Sequence, residues 1–328
     1  MILYVARRLL GASGVLLAIA AVTFTIFYVM PADPAQAACG KVCSPEQLDA
    51  VRHYMGLDAP IAEQFRHFLT GIFTGRSLGT GQFAISCDFP CLGYSYAYSE
   101  PVRDMLVDRL PVSVSLAVGA AALWLLLGLG TGVTAALRKD TGTDRSLMIG
   151  AVAAASMPVY FTSGLLILLF IKTLGWLPYP AYEKLTDDPL GWASNLLLPW
   201  IALAFLYAAM YTRISRGSMI EAMAEPYIRT ARAKGMPERT VIVKHGLRTG
   251  MTPLLTIFGM DLAGLLAGAI ITEQIFGLQG VGQLFQKALV TQDQPIILGV
   301  TLLAASFIVI ANLVVDLLYA VVDPRVRF

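Results

Sequence analysis

The sequence predicts an all-α integral membrane protein with six transmembrane helices and a large extracytoplasmic segment after the first of them. Hydrophobic residues make up 56% of the 328-residue chain and charged residues only 14%, whereas roughly a quarter of the residues in a soluble domain are charged. The net charge of +2 is too small to indicate a nucleic-acid-binding surface. The composition is therefore that of a protein whose surface faces lipid.

Six apolar stretches are long enough to cross a hydrocarbon core, which takes about 20 residues of helix. In chain order they are 9–30, 112–137, 147–174, 195–211, 253–275 and 295–322. They divide the chain into an amino terminus with the first span (1–30), a polar extracytoplasmic segment (31–110) and a five-helix core (111–328) with a charged loop at 213–250. An even number of spans places both termini on one side.

The distribution of Lys and Arg predicts the orientation, because short cytoplasmic loops carry an excess of positive charge. Of the 24 basic residues, two precede the first span, three lie between the second and third, eight between the fourth and fifth, and two follow the sixth. The short loops on the other side hold only Lys184 and Lys287, with Lys172 near the end of the third span. We therefore expect both termini and the loop at 213–250 to be cytoplasmic.

A cleaved signal peptide is the alternative interpretation of the first span. Arg7 and Arg8 precede the apolar run, and Ala35-Gln36-Ala37 resembles a cleavage site. The run is about twice as long as a usual signal core, so we predict a retained helix.

In the extracytoplasmic segment that follows, Ser44 and Gln47 have the spacing of a capping box and predict a helix on the membrane surface or on the spans. The aromatic stretch 83–98 is too polar to span and predicts a lid or a docking surface.

Four cysteines form two close pairs, Cys39 with Cys43 and Cys87 with Cys91. Because extracytoplasmic thiols can be oxidised, we predict two disulfides. Of the three possible pairings, bridges between the pairs would close roughly 45 residues and are favoured over very small loops in the chain-entropy model. A four-cysteine zinc site is the alternative, but thiolate zinc sites are mostly intracellular, so we expect no bound metal.

The charged loop at 213–250 contains a short predicted helix. Pro226 suits the first helical position and Gly235 the position beyond the last, and Arg232 and Lys234 would lie near the negative end of its dipole. A helix of roughly 13 Å that lies outside the membrane can be bound by a soluble partner. The alternative is a basic loop that binds anionic lipid headgroups. The composition of the loop does not distinguish a protein partner from a lipid partner.

The loop contains the run Tyr227-Ile-Arg-Thr-Ala-Arg-Ala-Lys-Gly235. His245 and Pro253 follow it further along the chain as part of the same motif. Other ordered motifs are Arg7-Arg8-Leu9-Leu10, Pro31-Ala32-Asp33-Pro34, Leu57-Asp58-Ala59-Pro60 with Gln64, Glu273-Gln274-Ile275-Phe276 with Gly277, Gly280 and Gly282, and Asp323-Pro324-Arg325. Over nearly the whole chain they resemble the membrane subunits of type I ATP-binding-cassette (ABC) importers for dipeptides, oligopeptides and nickel. The chain departs from that family at Ala32, where Gly is usual, and in an insertion at 81–99.

The resemblance implies the type I importer permease fold and a chain that is a transport subunit rather than an enzyme. It implies a bacterial cytoplasmic membrane, a second homologous permease subunit, two ATPase subunits that bind ATP and Mg, and an extracytoplasmic substrate-binding protein. No cofactor is implied for this chain. The residues implied to couple it to an ATPase are Glu221, Ala222, Tyr227, Arg229, Thr230, Ala231, Arg232, Lys234 and Gly235.

The sequence lacks features that nucleotide-binding proteins, secondary transporters and intramembrane enzymes would need. No P-loop is present, since the only Gly-Lys dipeptide, Gly40-Lys41, has Ala35 in the place of the first glycine. A secondary transporter acting alone would carry inverted repeats and broken helices, and no convincing repeat is visible. An intramembrane enzyme would need a nucleophile and a base at membrane depth, yet all three histidines lie outside the predicted spans.

Candidates for the translocation pathway are Ser156, Met157, Pro158, Tyr160, Asp261 and Glu273. Pro158 should kink the third span, and a kink beside a pore can gate it. Asp261 is the only carboxylate deep in an apolar run, with helix packing or a cytoplasmic-edge position as the alternative. Glu273 would meet the amino group of a peptide or hold the loop that follows.

Two glycine pairs, Gly128 with Gly132 and Gly264 with Gly268, have the spacing that lets helix backbones approach closely in lipid. They predict packing within this chain or against another subunit. The cargo is left open: a peptide is expected, and nickel, glutathione and haem are alternatives, because selection in this class rests largely with the external binding protein.

Overall fold

The computed structural model describes residues 2–28, 35, 44–55, 57–78 and 85–322. The α-helices are α1 (Ile2–Tyr28), α2 (Pro45–Met55), α3 (Ile61–Thr74), α4 (Val102–Leu137), α5 (Gly142–Ala155), α6 (Val159–Leu166), α7 (Pro189–Ala224), α8 (Pro226–Ala233), α9 (Glu238–Thr240), α10 (Arg248–Gly250), α11 (Thr252–Leu266), α12 (Ile270–Ile275), α13 (Val281–Thr291) and α14 (Gln294–Val322). Two π-helices, π1 (Ile167–Thr173) and π2 (Val241–Leu247), continue α6 and α9. The strands are β1 (Arg76–Leu78), β2 (Ile85–Cys87), β3 (Tyr94–Ser95) and β4 (Glu100–Pro101), paired antiparallel as β1 with β2 and β3 with β4.

The helical membrane architecture predicted from composition is confirmed. Among the described residues, α4, α7 and α14 are each long and apolar enough to cross a membrane. Two further helix pairs reach that length only across a bend: α5 with α6 and π1, bent by 98°, and Glu238–Gly250 with α11, bent by 54°. The first helix contributes a shorter apolar stretch, Leu10–Ile26. The count of six spans stays a prediction.

The second and fourth predicted spans are parts of longer helices. The helix α4 starts at Val102 rather than at residue 112. The helix α7 has 36 residues and begins after Asp188, whose Oδ1 accepts a hydrogen bond from the Leu190 N–H over 3.0 Å. Hydropathy marks only the apolar part of a helix, so it did not predict the polar extensions at the start of α4 and at both ends of α7.

The third and fifth predicted spans are not continuous helices; the sequence predicts the interruption at Pro158 in the third span but not the one in the fifth. The chain breaks after α5, with Pro158 at the N-cap of α6, so the expected kink is a full break. The stretch 253–275 divides into α11 and α12 around Gly268, which has a φ of 123°. That left-handed backbone ends a helix and is readily adopted by glycine alone, and an apolar run does not reveal it.

The chain forms two compact units, Met1–Ser113 with Gln279–Val309, and Val114–Leu278 with Ile310–Phe328. In the first unit the start of α4 packs with α13 and the start of α14. Their buried cluster contains Val102, Met105, Leu106, Val281, Leu284, Ala288, Ile296, Ile297 and Val300. A smaller cluster brings Phe24 of α1, Phe68 of α3 and Leu298 of α14 together.

The capping box predicted in the extracytoplasmic segment is confirmed. The Ser44 N–H donates to Gln47 Oε1 over 3.0 Å, and the Gln47 N–H donates to Ser44 Oγ over 3.2 Å. These reciprocal bonds satisfy donors at the start of α2 that have no partner within the helix. The local sequence therefore sets where α2 begins.

The predicted bridging between the two cysteine pairs is wrong for the pair that the structure describes. Cys87 forms a disulfide with Cys91, four residues away, with their Cα atoms 5.3 Å apart. Cys87 ends β2, and the bend that follows turns the chain back so that both side chains are buried. Chain entropy concerns the unfolded state alone, whereas this local turn already holds the two residues together. Cys39 and Cys43 lie outside the described residues.

The second half of the insertion is packed into the first unit. The buried Ser95 hydroxyl donates a hydrogen bond to Oδ2 of Asp293, and the Val102 N–H donates to the Gly93 carbonyl over 3.1 Å. Burial raises the pKa of the Asp293 carboxyl, although the bonds from Ser95 and from the Ile296 N–H oppose that shift. These contacts fix the β3–β4 hairpin and disfavour a mobile lid, while Phe89 on the preceding turn stays 62% exposed.

Candidate functional site

The candidate coupling segment, residues 213–250, contains the predicted Pro-to-Gly helix. Pro226 occupies the first turn of α8, and the helix ends at Ala233. Gly235 has a φ of 74°, and its N–H donates to the Arg232 carbonyl over 2.9 Å. A glycine in the left-handed conformation beyond a helix end is a common helix stop. The prediction of this helix from local signals is therefore confirmed.

One face of α8 is buried against its own chain. Ile228 and Ala231 pack on Val241 of π2, with Met223 and Met236 at the edge of the cluster. The opposite face is exposed and presents Tyr227, Arg229, Thr230, Arg232 and Lys234. A soluble partner can reach these side chains without disturbing the contact that holds the helix.

The predicted coupling residues fall into two groups. Glu221 is exposed along with the residues of the outer face of α8, whereas Ala222 and Ala231 are buried. The two alanines therefore allow close packing inside the segment and offer no side chain to a partner. Arg232 is engaged by Glu238, through Nε to Oε2 over 3.1 Å and Nη2 to Oε1 over 2.6 Å. Both side chains are exposed, so solvent screens their attraction, and the main effect of the pair is to orient the turn after α8.

The segment returns along the end of α7. A Cβ on Gly246 would lie 2.8 Å from Cε of Met219 and from Sδ of Met223, and one on Gly250 would lie 3.3 Å from the Ser218 carbonyl oxygen. The flexible methionine side chains could move aside for a larger residue at Gly246, whereas the backbone of α7 leaves little room for one at Gly250. The coupling segment is thereby fixed to the last turns of α7.

An ion pair joins α7 to α5. Arg216 donates from Nε to Asp144 Oδ1 and from Nη2 to Asp144 Oδ2, each over 2.6 Å, and the Asp144 side chain is only 4% exposed. Asp144 lies in the first turn of α5, whose N-cap is Thr141. This pair could not be predicted from the sequence, because its members are 72 residues apart and Arg216 contributes to the sequence pattern only as one of the charges of the loop.

The first glycine pair packs within this chain, against α7. A Cβ on Gly128 would lie 3.2 Å from the Ala208 carbonyl oxygen, and one on Gly132 would collide with Ser215. Ser215 Oγ also donates to the Gly128 carbonyl over 3.1 Å. The second pair differs: Gly264 faces open space, and Gly268 lies in the break after α11.

Four predicted pathway residues lie together at the break between α5 and α6. Ser156, Met157, Pro158 and Tyr160 are all exposed, Tyr160 by 62%. A cavity of about 730 Å³ adjoins the break at Ala155, the last residue of α5. Its lining is mostly apolar and consists of Ala155, Leu206, Tyr207, Met210, Arg213 and Ile214.

Asp261 and Glu273 lie on either side of the break at Gly268. The Tyr211 hydroxyl of α7 donates to Asp261 Oδ2 over 2.9 Å, so Asp261 contributes to packing between α7 and α11. Glu273 is fully buried, and its carbonyl accepts a hydrogen bond from the Leu278 N–H over 2.8 Å. This main-chain bond holds the start of the following loop and does not involve the carboxyl group, so the role of the Glu273 side chain stays a prediction.

Two family descriptions match the chain. Residues 1–117 match the N-terminal part of the membrane component of binding-protein-dependent transport systems. Residues 128–328 match the inner membrane component of binding-protein-dependent transport systems.

Relatives match from end to end. A peptide transport system permease protein of Brucella abortus (strain 2308) is 35% identical over 322 residues, covering 98% of each chain. A peptide ABC transporter permease protein of Sinorhizobium fredii is 32% identical over 325 residues, covering 99% of each. The glutathione transport system permease protein GsiC of Escherichia coli K12 is 33% identical over 328 residues, covering 100% of each.

A solved structure has a similar fold. The inward-facing MetNI methionine ABC transporter matches with a TM-score of 0.55 at 15% identity, covering 69% of this chain and 99% of that chain. At this identity the match concerns the fold alone.

Proposed function

Because the chain belongs to the family of inner membrane components of binding-protein-dependent transport systems, it is a multi-pass permease subunit of an ABC importer, and we propose that it carries peptides inward by alternating access. The observation that carries this proposal is the coupling segment: a helix with one face packed on its own chain and a basic outer face, attached to the end of a continuous helix. Peptide permeases that match over 98% or more of their length support the cargo class.

The proposed assembly contains this chain, a second homologous permease subunit, two ATPase subunits and an extracytoplasmic substrate-binding protein. The ATPase subunits would bind ATP and Mg, since this sequence has no P-loop. Both termini and the coupling segment would face the cytoplasm, which the distribution of Lys and Arg supports.

In the proposed mechanism, the exposed face of α8 docks into a groove on an ATPase. Tyr227, Arg229 and Thr230 would contact the partner, and Arg232 would remain oriented by Glu238. Closure of the ATPases would then displace α8. Since Ile228 and Ala231 pack on Val241, and π2 packs on the end of α7, the displacement would pass into α7 rather than be absorbed in the loop.

A second function, transport by this chain alone, has one observation in its favour. Helices broken at membrane depth are typical of secondary transporters, and two helix pairs here are bent by 98° and 54°. The two functions differ in their energy source. Purification of the tagged chain from its native membrane should recover ATPase chains in the ABC case and none in the other.

The test of the proposed function is uptake by the assembled complex in liposomes. We expect ATP-dependent accumulation of a dipeptide or an oligopeptide in the presence of the binding protein. Glutathione belongs in the cargo panel because of the similarity to GsiC, and nickel and haem test the wider class. Accumulation of glutathione, nickel or haem without peptide would overturn the cargo assignment, and uptake without ATP would overturn the ABC mechanism.

A further inference from the structure

The Asp144–Arg216 pair is far more enclosed than an ordinary surface ion pair. In addition to both bonds from Arg216, Asp144 Oδ2 accepts a hydrogen bond from the Asp140 N–H over 3.0 Å. The side chains are 4% and 24% exposed for Asp144 and Arg216. A carboxylate held by a planar guanidinium through two parallel bonds, and by a third donor, has one orientation. The pair therefore fixes α5 relative to α7 in register as well as in distance.

The buried apolar contact between α5 and α7 is formed by small side chains. Ala151 and Ala154 of α5 pack on Ala209 of α7, with Met148 at the edge. An alanine side chain ends at Cβ and cannot interlock with its neighbours, so this contact resists sliding of one helix along the other only weakly. The ion pair supplies a directional restraint that this contact lacks.

The pair lies between two features of the proposed transport cycle. On α7, Arg216 is followed by Ser218 and Met219, which meet the returning coupling segment at Gly250 and Gly246. On α5, Asp144 begins the helix that ends at the break beside the cavity. A movement of the coupling segment thus reaches the break along α7, across the pair and along α5.

We propose that Asp144 and Arg216 are positioning residues that keep α5 and α7 moving as one body, so that movement at α8 reaches the break at Pro158. The inference rests on the proposed function in one respect, that an ATPase supplies the movement. Neither residue contacts cargo or nucleotide in this proposal. Their effect is on how much transport each hydrolysed ATP yields.

A purely structural role makes a different prediction. If the pair only stabilised the fold, its loss would reduce the yield of complex, and ATP hydrolysis and transport would fall in proportion per mole of assembled complex. If the pair transmits movement, assembled complex should still hydrolyse ATP while transport falls. The ratio of cargo transported to ATP hydrolysed separates the two roles.

The first experiment compares Asp144→Asn and Arg216→Lys with wild type in the full complex in liposomes. Asn keeps the shape of Asp144 without its charge, and Lys keeps the charge of Arg216 without the bidentate fork. We expect cargo transported per ATP to fall about tenfold, within the usual range of coupling between sites, with ATP hydrolysis near the wild-type rate. Arg145→Lys, at the exposed neighbouring position, is the matched control and should leave the ratio unchanged. A wild-type ratio in both pair variants would overturn the proposal.

The second experiment replaces the ion pair by a covalent link. In a background without native cysteines (Cys39→Ser, Cys43→Ser, Cys87→Ala and Cys91→Ala), Asp144→Cys with Arg216→Cys is joined by a short bifunctional thiol reagent that a reductant releases. We expect the unlinked protein to be uncoupled, the linked protein to recover transport per ATP, and reduction to reverse the recovery. A linked protein that stays uncoupled would show that α5 and α7 must move relative to each other, which contradicts the proposal.

The cargo enters these experiments only as the transported species. If wild type carries glutathione rather than longer peptides, the same ratio is measured with glutathione, so an error in the cargo is distinct from an error in the pair's role. If wild type transports without ATP, the proposed ABC function fails and the pair has no coupling to transmit.

Discussion

The Tyr211 hydroxyl of α7 donates a hydrogen bond to Oδ2 of Asp261 in α11 over 2.9 Å. Tyr211 itself is fully buried, and Trp124 lies beside it with ring centroids 6.0 Å apart. An ionisable residue in an apolar helix is almost always paired with a polar partner, and the Tyr211 hydroxyl is such a partner. The pair thereby gives the helix-packing alternative for Asp261 a definite partner.

We predict that Tyr211→Phe lowers the free energy of unfolding by roughly 1 kcal/mol, the scale of a hydrogen bond between membrane helices. The reason is that Asp261 loses a donor and keeps its desolvated carboxylate. Thermal unfolding of the purified complex measures the effect, and Tyr160→Phe, which removes an exposed hydroxyl, is the matched control. Equal stability of Tyr211→Phe and wild type, together with a transport defect in Asp261→Asn, would instead place Asp261 in the pathway.

A second prediction concerns Gly235 at the end of α8. Gly235→Glu should uncouple ATP hydrolysis from transport while leaving insertion intact, because it adds a negative charge beside the basic face and strains a left-handed backbone by about 1–2 kcal/mol. ATP hydrolysis and peptide uptake are measured on the same liposomes.

Two variants separate charge from strain in that experiment. Gly235→Ala brings the strain without the charge, and Ala233→Glu brings the charge at an exposed helical position. Unchanged cargo-stimulated hydrolysis and uptake in Gly235→Glu would count against docking of this segment on an ATPase.

The two glycine pairs lead to a third prediction. Gly132→Ala should reduce assembly or stability, because its Cβ would collide with Ser215 Oγ and lie 2.7 Å from the Thr212 carbonyl oxygen. Gly264→Ala meets nothing within 4 Å in this chain and should not alter the fold of the subunit. Size-exclusion profiles and thermal unfolding of the two variants make the comparison. A loss of the second permease subunit from Gly264→Ala alone would identify α11 as part of that subunit interface.

The fourth prediction is that non-reducing mass spectrometry finds Cys87 linked to Cys91. The bridge closes a loop with a sequence separation of 4, and the chain-entropy model gives such a loop about 2 kcal/mol of stabilisation. Cys87→Ala with Cys91→Ala should therefore lower the unfolding temperature of the complex modestly. Free thiols at both positions, or zinc released stoichiometrically on thiol alkylation, would contradict the disulfide.

Features with local causes could be predicted from the sequence. Pro226 and Gly235 delimit α8, Ser44 and Gln47 cap α2, and Pro158 interrupts the third span. Each residue acts through its own backbone or through neighbours within one helical turn. The start of α4 and both ends of α7 are different, because polar helical residues outside a membrane carry no hydropathy signal.

Features with tertiary causes could not be predicted. The break at Gly268 depends on a backbone conformation that glycine permits but does not require. Burial of Ala222 and Ala231 follows from how the segment folds back on itself. The Asp144–Arg216 contact joins positions 72 residues apart, and a single sequence has no local pattern that records such a contact.

The uninterrupted length of α7 has a consequence for the lipid environment. At 1.5 Å per residue its 36 residues extend about 54 Å, well beyond a hydrocarbon layer of about 30 Å. Its apolar part at 195–211 is short enough to stay within that layer, so the polar remainder of the helix projects outside it, and any change in tilt moves the projecting end furthest. The coupling segment is carried at that end. Bilayer thickness affects the tilt of a membrane helix, so the proposed docking of the coupling segment on an ATPase should depend on it, and membranes of different lipid chain length should tune the efficiency of one and the same complex.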